Sequence, residues 1–300
     1  MAYRRTLRRG VGCRGIGLHS GKSVHLELKP APPEHGIRFL RTDVGVEIPA
    51  TLGQLSRSDY ATTLGCDGVS VSTVEHLLAA LSALGVDDVL VEVDGPELPI
   101  LDGSAAPFVF LIHEVGLRPH ATARQHIKVV KPVEVVLGDK FVRLLPADQL
   151  RVSYTIGFDH PLLRHQALTC RVSAQAFAET IAPARTFGFL REVEMLRRNG
   201  LARGGSLDNA VVIGEGGVLN NKLRFEDEFV RHKVLDAIGD LALLGRPLVA
   251  HVEAYKAGHA LHTAAARKLL ATPDAWVLSA HPQLPVLESP STPRLALKPS

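Results

Sequence analysis

The sequence predicts an α+β fold of two similar domains, each a β-sheet layered with helices, in a duplicated β-α-α-β sandwich with the active site in the cleft between them. Two observations predict this fold. Several strands followed by a helix, a strand and a second helix occur twice along the 300 residues, a pattern typical of helices packed on one face of a sheet. Hydrophobic residues make up 46% of the chain, which is enough for a buried core in each half.

The repeat suggests where the domains begin and end. We expect an N-terminal domain at residues 1–120, a C-terminal domain at residues 126–287, and a disordered tail rich in Pro and Ser at residues 288–300. The passage at 118–124, rich in Pro, His and Thr, is predicted to be the linker.

The first half opens with alternating apolar and polar residues, which predict strands at 4–9, 24–29, 37–41 and 46–50. Between the first two lies a loop, Gly15 to Gly21, whose three glycines permit either a plain turn or the close approach of a ligand. His19 stands in this loop. The polar residues 51–71 predict an irregular insertion or a small hairpin.

A helix is predicted to follow the insertion, because Ser72 and Glu75 form an S-x-x-E capping box and the apolar pattern ends at Gly85. A buried strand at 89–93 and a helix at 105–115 complete the first half. The second half repeats this order, with strands at 127–136, 141–145, 152–156 and 248–254 and helices at 173–181, 225–241 and 261–270. It also carries an insertion at 190–219, with a short charged helix and a hairpin around 214–217.

Composition excludes several classes of protein. The net charge of +3 is spread over 34 basic and 31 acidic residues with no dense basic run, so we expect no nucleic-acid partner and favour anionic small substrates. The sequence contains no apolar segment of about 18 residues, so it predicts no membrane span. The three cysteines are far apart and odd in number, which argues against a disulfide framework or a thiolate metal site. We therefore expect a soluble, cytoplasmic protein.

The helix predicted at 225–241 carries the first candidate functional residues. His232, Asp236 and Asp240 are four residues apart, so their side chains lie on one helix face. Imidazole and carboxylate groups are ligands that catalytic zinc accepts. A solvated His–Asp pair that merely stabilises the helix is the structural alternative, and a metal site needs a third ligand from elsewhere.

Two other fragments could supply that ligand and the chemistry. His76 follows Glu75 at the start of a helix, although Glu75 could serve only in the capping box. His259 lies in a Gly-containing loop at the end of a predicted strand. Such a loop is a common position for a catalytic group, but a lone histidine there can also be solvated surface.

Together these fragments resemble a known family, the zinc-dependent UDP-3-O-acyl-N-acetylglucosamine deacetylases of lipid A biosynthesis. The resemblance covers nearly the whole chain, and the family fold has two similar α/β layers with zinc in the cleft between them. The motifs that carry it are colinear: residues 15–21, 72–76, 101–108, 184–189, 204–210, 224–241 and 255–260. The loop at 59–66 departs from the family pattern, since Tyr60 to Thr63 replace its small, Met or Cys residues.

The resemblance implies a role for each matching residue. The zinc ligands are His76, His232 and Asp236, and the general base is Glu75. His259 is the acid or electrostatic stabiliser, Asp240 orients it, Thr186 places a hydroxyl near the carbonyl oxygen, and Lys233 is a cation that contacts substrate. Positions near the substrate or its diphosphate are His19, Phe158, His160, Phe187 and Lys256. The insertion at 190–219 resembles the segment that forms the acyl-chain passage.

The function implied is removal of the N-acetyl group from UDP-3-O-(3-hydroxyacyl)-N-acetylglucosamine with release of acetate, the committed step of lipid A biosynthesis. The implied partners are zinc and a UDP-sugar with an acyl chain, and we expect a monomer. A catalytically inactive metal-dependent nucleotide-sugar-binding protein is the alternative. The presence of Glu75 and His259 counts against it, because binding alone requires neither.

Overall fold

The computed structural model describes residues 2–220 and 222–280. The tail predicted at 288–300 and the end of the predicted C-terminal domain lie outside these residues. Within the described ranges, no helix is long and apolar enough to cross a membrane.

The first half contains a five-stranded sheet with two helices. Its strands are β1 Tyr3–Leu7, β2 Val11–Ile16, β3 Ser23–Pro30, β4 Ile37–Arg41, β5 Val46–Pro49, β6 Leu55–Arg57, β7 Thr63–Cys66, β8 Val69–Val71, β9 Val89–Val93 and β10 Leu117–Ala123. Its helices are α1 Glu75–Leu84 and α2 Ala106–Val115. The main sheet has the order β2-β3-β9-β4-β5.

The second half contains a sheet of the same size. Its strands are β11 His126–Val129, β12 Val133–Leu137, β13 Lys140–Leu145, β14 Arg151–Ile156, β15 Gln166–Arg171, β16 Phe187–Phe189, β17 Val211–Gly214, β18 Gly217–Val218, β19 Leu248–Val249, β20 His251–Tyr255 and β21 Trp276–Ser279. Its helices are α3 Ala174–Ala176, continued by a π-helical turn at Phe177–Ile181, then α4 Leu190–Arg198, α5 Glu228–Leu241 and α6 His259–Leu270. The main sheet has the order β12-β13-β20-β14-β15.

The two main sheets share one topology. In each, the last strand in sequence lies at the centre, antiparallel to the second strand and parallel to the third: β9 beside β3 and β4, β20 beside β13 and β14. A long helix, α1 or α5, leads toward the central strand, and another, α2 or α6, follows it. The predicted duplicated α+β fold is therefore confirmed, whereas the domain boundaries remain a prediction.

The two insertions occupy equivalent places, between the fourth sheet strand and the first long helix of each half. In the first half the insertion is the small sheet β6-β7-β8. In the second it is α4 with the sheet β16-β17-β18. Both insertions are folded, and the hairpin and charged helix predicted in the second are present.

Two sequence predictions were wrong around the middle of the chain. The predicted linker at 118–124 is largely strand β10, which pairs antiparallel with β1; Pro119 is tolerated because this ribbon has only two strands. The strand predicted over 127–136 is two strands, β11 and β12. Pro132, which lacks an N–H for a sheet ladder, stands between them.

The halves meet where α1 packs against α5. All residues of α5 except Arg231 and Lys233 are buried. The helix is therefore surrounded by protein on nearly all sides, although its sequence has polar residues as well as apolar ones. Gly239 lies at the contact, where a Cβ atom would clash with the carbonyl oxygen of Glu75. The backbones of the two helices therefore touch, and this contact brings the start of α1 beside the polar face of α5.

Candidate active site

The start of α1 places Glu75 and His76 at the junction of the halves. Both side chains are buried. The predicted capping box does not form: Val74 is the N-cap residue, and the Ser72 hydroxyl instead donates to the Pro96 carbonyl at 3.3 Å. The Glu75 carboxylate accepts the backbone N–H of Thr62 at 3.1 Å. Glu75 is therefore held toward the interior rather than folded back on its own helix.

His76 and two residues of α5 form a compact set of potential metal ligands. One ligand atom from each of His76, His232 and Asp236 lies within 4.8 Å of the others. Asp236 Oδ1 is 3.4 Å from His232 Nε2 and 3.8 Å from His76 Nε2. His232 Nδ1 donates to the Ala184 carbonyl at 3.0 Å, which directs its Nε2 lone pair toward the cluster, as the outer hydrogen bond of a metal-binding histidine does.

The electrostatics of this cluster suit a cation. Burial, reinforced by the neighbouring His232, lowers the pKa of His76 to about 3, and burial also lowers the pKa of His232. Burial alone would raise the pKa of Asp236, but Lys233 and the histidines hold it well below its usual value. Two neutral imidazoles and one carboxylate are the protonation states that metal binding requires, and they are a donor set of catalytic zinc.

A second cluster lies next to the first. His259 is the first residue of α6, which begins two residues before the predicted helix, so this histidine is not in a loop. Its Nδ1 lies 2.8 Å from Asp240 Oδ2, and His262 Nδ1 is 2.8 Å from the same oxygen. The Thr62 hydroxyl donates to the other oxygen, Asp240 Oδ1.

Burial and neighbouring charges shift the pKa values of two groups in this site, the carboxyl of Glu75 and the imidazole of His259. Burial, with the nearby Asp236 and Asp240, raises the pKa of Glu75 to about 7 although His259 opposes the shift. Burial alone would lower the pKa of His259, but the charges of Asp240 and Asp236 raise it to about 9. At neutral pH His259 is therefore a cation, while Glu75 exchanges its proton readily.

Three residues near the site have left-handed backbone conformations that are unusual for residues other than glycine. Thr73, Leu101 and Lys256 have φ angles of 57°, 54° and 48°. Thr73 precedes Glu75, and Lys256 precedes the start of α6. Such strain is commonly concentrated at functional sites.

A cavity of about 240 Å³ connects the two clusters. It is lined by ten of the residues that the sequence singled out: His19, Glu75, His76, Phe158, Thr186, Phe187, His232, Lys233, Asp236 and His259. Its walls come from both halves and both insertions. Asp240 lies behind this surface, in contact with His259.

Two residues predicted to contact substrate lie outside the lining. His160 Nε2 donates to the Gly214 carbonyl at 3.0 Å, and its ring lies 6.0 Å from that of Phe189, which does line the cavity. Lys256 Nζ is 2.6 Å from Asp139 Oδ2 at the surface.

The Gly-rich loop at 15–21 is held by hydrogen bonds from two sides. Buried Glu97 accepts the backbone N–H groups of His19 and Ser20 at 2.8 and 2.7 Å. From the second insertion, the N–H of Arg203 donates to the His19 carbonyl at 3.2 Å. The loop is therefore a turn that also presents His19 to the cavity.

Sequence reasoning missed several residues of the site. From the sequence, the loop at 59–66 is only a departure from the family pattern, without a role for Asp59, Tyr60 or Thr62; Phe189, Glu192, Tyr154 and His262 were not predicted. His262 could have been found, because it follows His259 by three residues within a helical pattern. Thr62 could not, since only the folded insertion brings it to Glu75 and Asp240.

Comparisons with known proteins agree over most of the chain. A family profile described as UDP-3-O-acyl N-acetylglycosamine deacetylase matches residues 4–271. A UDP-3-O-acyl-N-acetylglucosamine deacetylase of Syntrophotalea carbinolica is 50% identical over 281 residues, covering 93% of this chain and 91% of the relative. One of Myxococcus xanthus is 52% identical, covering 91% and 88%, and one of Anaeromyxobacter sp. is 52% identical, covering 90% and 89%.

Proposed function

Because the chain belongs to the UDP-3-O-acyl N-acetylglycosamine deacetylase family, we propose that it deacetylates UDP-3-O-(3-hydroxyacyl)-N-acetylglucosamine and releases acetate, the committed step of lipid A biosynthesis. One observation carries the proposal. The cavity brings a His–His–Asp cluster together with a buried carboxylate, Glu75, and a buried histidine cation, His259.

His76, His232 and Asp236 would hold a zinc ion. When bound, zinc would polarise the amide carbonyl and lower the pKa of a water molecule. The Lys233 ammonium, 2.6 Å from Asp236 Oδ2, keeps that carboxylate ionised and provides a cation at the cavity wall for the substrate.

Glu75 acts as the general base. Its carboxylate lines the cavity beside the ligand cluster, and a pKa of about 7 lets it accept a proton from the attacking water and release it later in the same reaction. The N–H of Thr62 fixes one carboxylate oxygen, so the other can face the water.

His259 and Thr186 complete the site on its other sides. Because His259 donates its Nδ1 proton to Asp240, its Nε2–H is available to stabilise the oxyanion that develops on the acetamide carbonyl, or to protonate the departing amine. The backbone of Thr186 is held by Gly103 and Val211 through hydrogen bonds of 2.8 Å, which positions its hydroxyl for the same oxygen.

The remaining walls suit the two ends of the substrate. The rings of Phe158 and Phe187 pack 5.7 Å apart in the cavity that His19 also lines, and we infer that a UDP group would extend toward His160 and Lys256, which lie outside the lining. The insertion at 190–219 exposes four large apolar side chains that an acyl chain could cover, which supports its role as the acyl passage. These are Leu190, Met195, Leu207 and Leu219.

The proposal extends to the form and location of the enzyme. We propose that the enzyme acts as a monomer, because the ligand cluster, Glu75 and His259 already meet in one cavity within a single chain. Cys13, Cys66 and Cys170 are free thiols, as expected for the reducing cytoplasm. An inactive sugar-binding protein is disfavoured, because ligand binding does not need a buried base and acid arranged around one cavity.

Deacetylation of the UDP-sugar, measured together with zinc content, tests this function. We expect the intact protein to release acetate and Glu75→Ala to lose activity by about a hundredfold or more while it retains its zinc. Zinc retention with undiminished acetate release in Glu75→Ala would contradict the role of Glu75. No acetate release by the zinc-loaded intact protein would contradict the function itself.

A further inference from the structure

His262 is a buried titratable residue that the proposed mechanism does not use. It lies on α6, one turn after His259, and its side chain has no exposed surface. Its Nδ1 is 2.8 Å from Asp240 Oδ2, the oxygen that His259 Nδ1 also contacts at 2.8 Å. One carboxylate oxygen therefore serves two imidazoles of the same helix.

The protonation state of His262 follows from its neighbours. Burial lowers the pKa of His262 although Asp240 opposes the shift, so the ring is neutral at neutral pH. A carboxylate can only accept, so the single ring proton is on Nδ1 and Nε2 carries a lone pair. That lone pair lies 3.0 Å from the Tyr154 hydroxyl, which is also 2.8 Å from the Ala257 carbonyl. The hydroxyl proton thus has two acceptors.

We propose, on the basis of the function above, that His262 is a positioning residue that divides the charge of Asp240 between two imidazoles and so sets how tightly His259 holds its proton. The N–H of His262 stabilises the Asp240 carboxylate independently of His259. The carboxylate then attracts the His259 proton less strongly than it would in an isolated Asp–His pair. An acid that releases its proton more easily is the better general acid near neutral pH.

The charges around Asp240 determine how strongly the N–H of His262 affects the proton affinity of His259. Charged and titratable groups act on His259 and His262 from several elements: Asp236, Asp240, Lys233 and His232 of α5, Glu75 and His76 of α1, Tyr154 of β14 and Thr62 of the first insertion. Asp240 is the carboxylate in direct hydrogen-bonded contact with both rings. In a buried site with little water to screen it, each donor to Asp240 changes the proton affinity of the other.

Two substitutions separate the N–H group from the volume of the ring. In His262→Leu no donor remains, whereas in His262→Asn the side-chain amide reaches the place of Nδ1–H. The titration of His259 is followed by NMR of histidine-labelled, full-length protein without substrate, and the alkaline limb of kcat/KM is measured in parallel. We expect His262→Leu to move the pKa of His259 and this limb upward by about 0.5 to 1 pH unit, and His262→Asn to leave both near the wild-type values.

Tyr154→Phe is a second, independent test. Without the hydroxyl facing Nε2, the Nδ1–H of His262 is a weaker donor, so we expect a smaller upward shift. An unchanged or lowered pKa of His259 in folded His262→Leu overturns the proposal. If that variant does not fold, the absence of any shift in Tyr154→Phe overturns it instead. The NMR titration needs no turnover, so failure of the proposed deacetylation would leave this test intact.

Discussion

The two halves of the molecule share a sheet topology and an order of helices, yet they contribute unequally to the site. The first half provides Glu75 and His76 from the start of α1. The second provides His232, Asp236 and Asp240 from the middle of α5 and His259 from the start of α6. The helix equivalent to α6 in the first half is α2, which begins at Ala106 and supplies no ligand or acid. The shared topology therefore forms the framework, and the proposed ligands, base and acid lie where the two halves meet.

The largest expected effect comes from removing a ligand, and it tests whether both halves are needed. We expect His76→Ala in the first half and His232→Ala or Asp236→Ala in the second each to lower bound zinc sharply, because two ligands do not hold the ion. Zinc is measured after dialysis against a weak chelator. Stoichiometric zinc in two of the three variants would show that the ligands are wrongly assigned. Asp236→Asn should also fail, since a neutral amide oxygen is a poorer ligand than a carboxylate.

The next largest effect concerns the pH dependence of activity, which should report Glu75 of the first half on its acid limb and His259 of the second half on its alkaline limb. Activity should fall at low pH as Glu75 gains a proton, at or below its pKa of about 7 because a bound cation favours the carboxylate. It should fall again as pH rises through the His259 pKa of about 9. We expect His259→Ala to lower kcat/KM by about a hundredfold or more and to remove much of the alkaline limb while zinc stays bound. An unchanged limb would reject His259 as the titrating acid.

The same histidine should affect stability in a defined pH window. The pKa of His259 is raised in the folded protein to about 9 from an ordinary value of 6.5. Its pairing with Asp240 therefore stabilises the fold fully below pH 6.5, and this contribution is lost as pH rises through about 9. Urea denaturation of the wild type and His259→Ala should show a difference that shrinks over this range. A difference that grows toward high pH would contradict the assignment.

A fourth test compares the two insertions, of which the second exposes four large apolar side chains: Leu190, Met195, Leu207 and Leu219. Each buried methylene contributes about 0.8 kcal/mol, so replacing the long 3-O-acyl chain by acetyl should lower kcat/KM by about a hundredfold or more, even after the cost of ordering the chain. Met195→Asp in α4 should reduce this preference. Leu137→Asp, at an apolar position exposed on β12, is the matched control and should not. If the wild type, Met195→Asp and Leu137→Asp prefer the long chain equally, the insertion does not form the acyl site.

The smallest expected effect concerns the contact between the halves. Gly239→Ala would place a Cβ against the Glu75 carbonyl oxygen, and overpacking of this kind costs about 1–3 kcal/mol. We expect a lower denaturation midpoint together with lower zinc affinity, because α1 must move away from α5. Gly216→Ala, where no atom lies within 4 Å of the new Cβ, is the control. Unchanged zinc affinity in a destabilised Gly239→Ala would show that the contact is structural only.

Local patterns predicted much of the framework. The strands at 37–41 and 89–93 have the predicted bounds, and α5 and α6 begin within three residues of prediction. Errors arose where tertiary contacts outweighed local preference. Ser72 and Glu75 have the spacing of a capping box, but the N–H of Thr62 and the buried site hold Glu75 elsewhere. Similarly, no spacing within the chain predicts that His76 lies beside His232. That prediction came only from the resemblance to a family.

The ends of each half meet. Strand β1 pairs with β10, and β11 pairs with β21, so the first and last described strands of each half are antiparallel neighbours. Only Arg124 and Gln125 separate β10, the last strand of the first half, from β11, the first strand of the second. A unit whose ends adjoin can be joined in tandem to a copy of itself with almost no connecting sequence. Two such units joined in tandem each keep their own end strands paired, and the surface between them is then free to differ from one unit to the other.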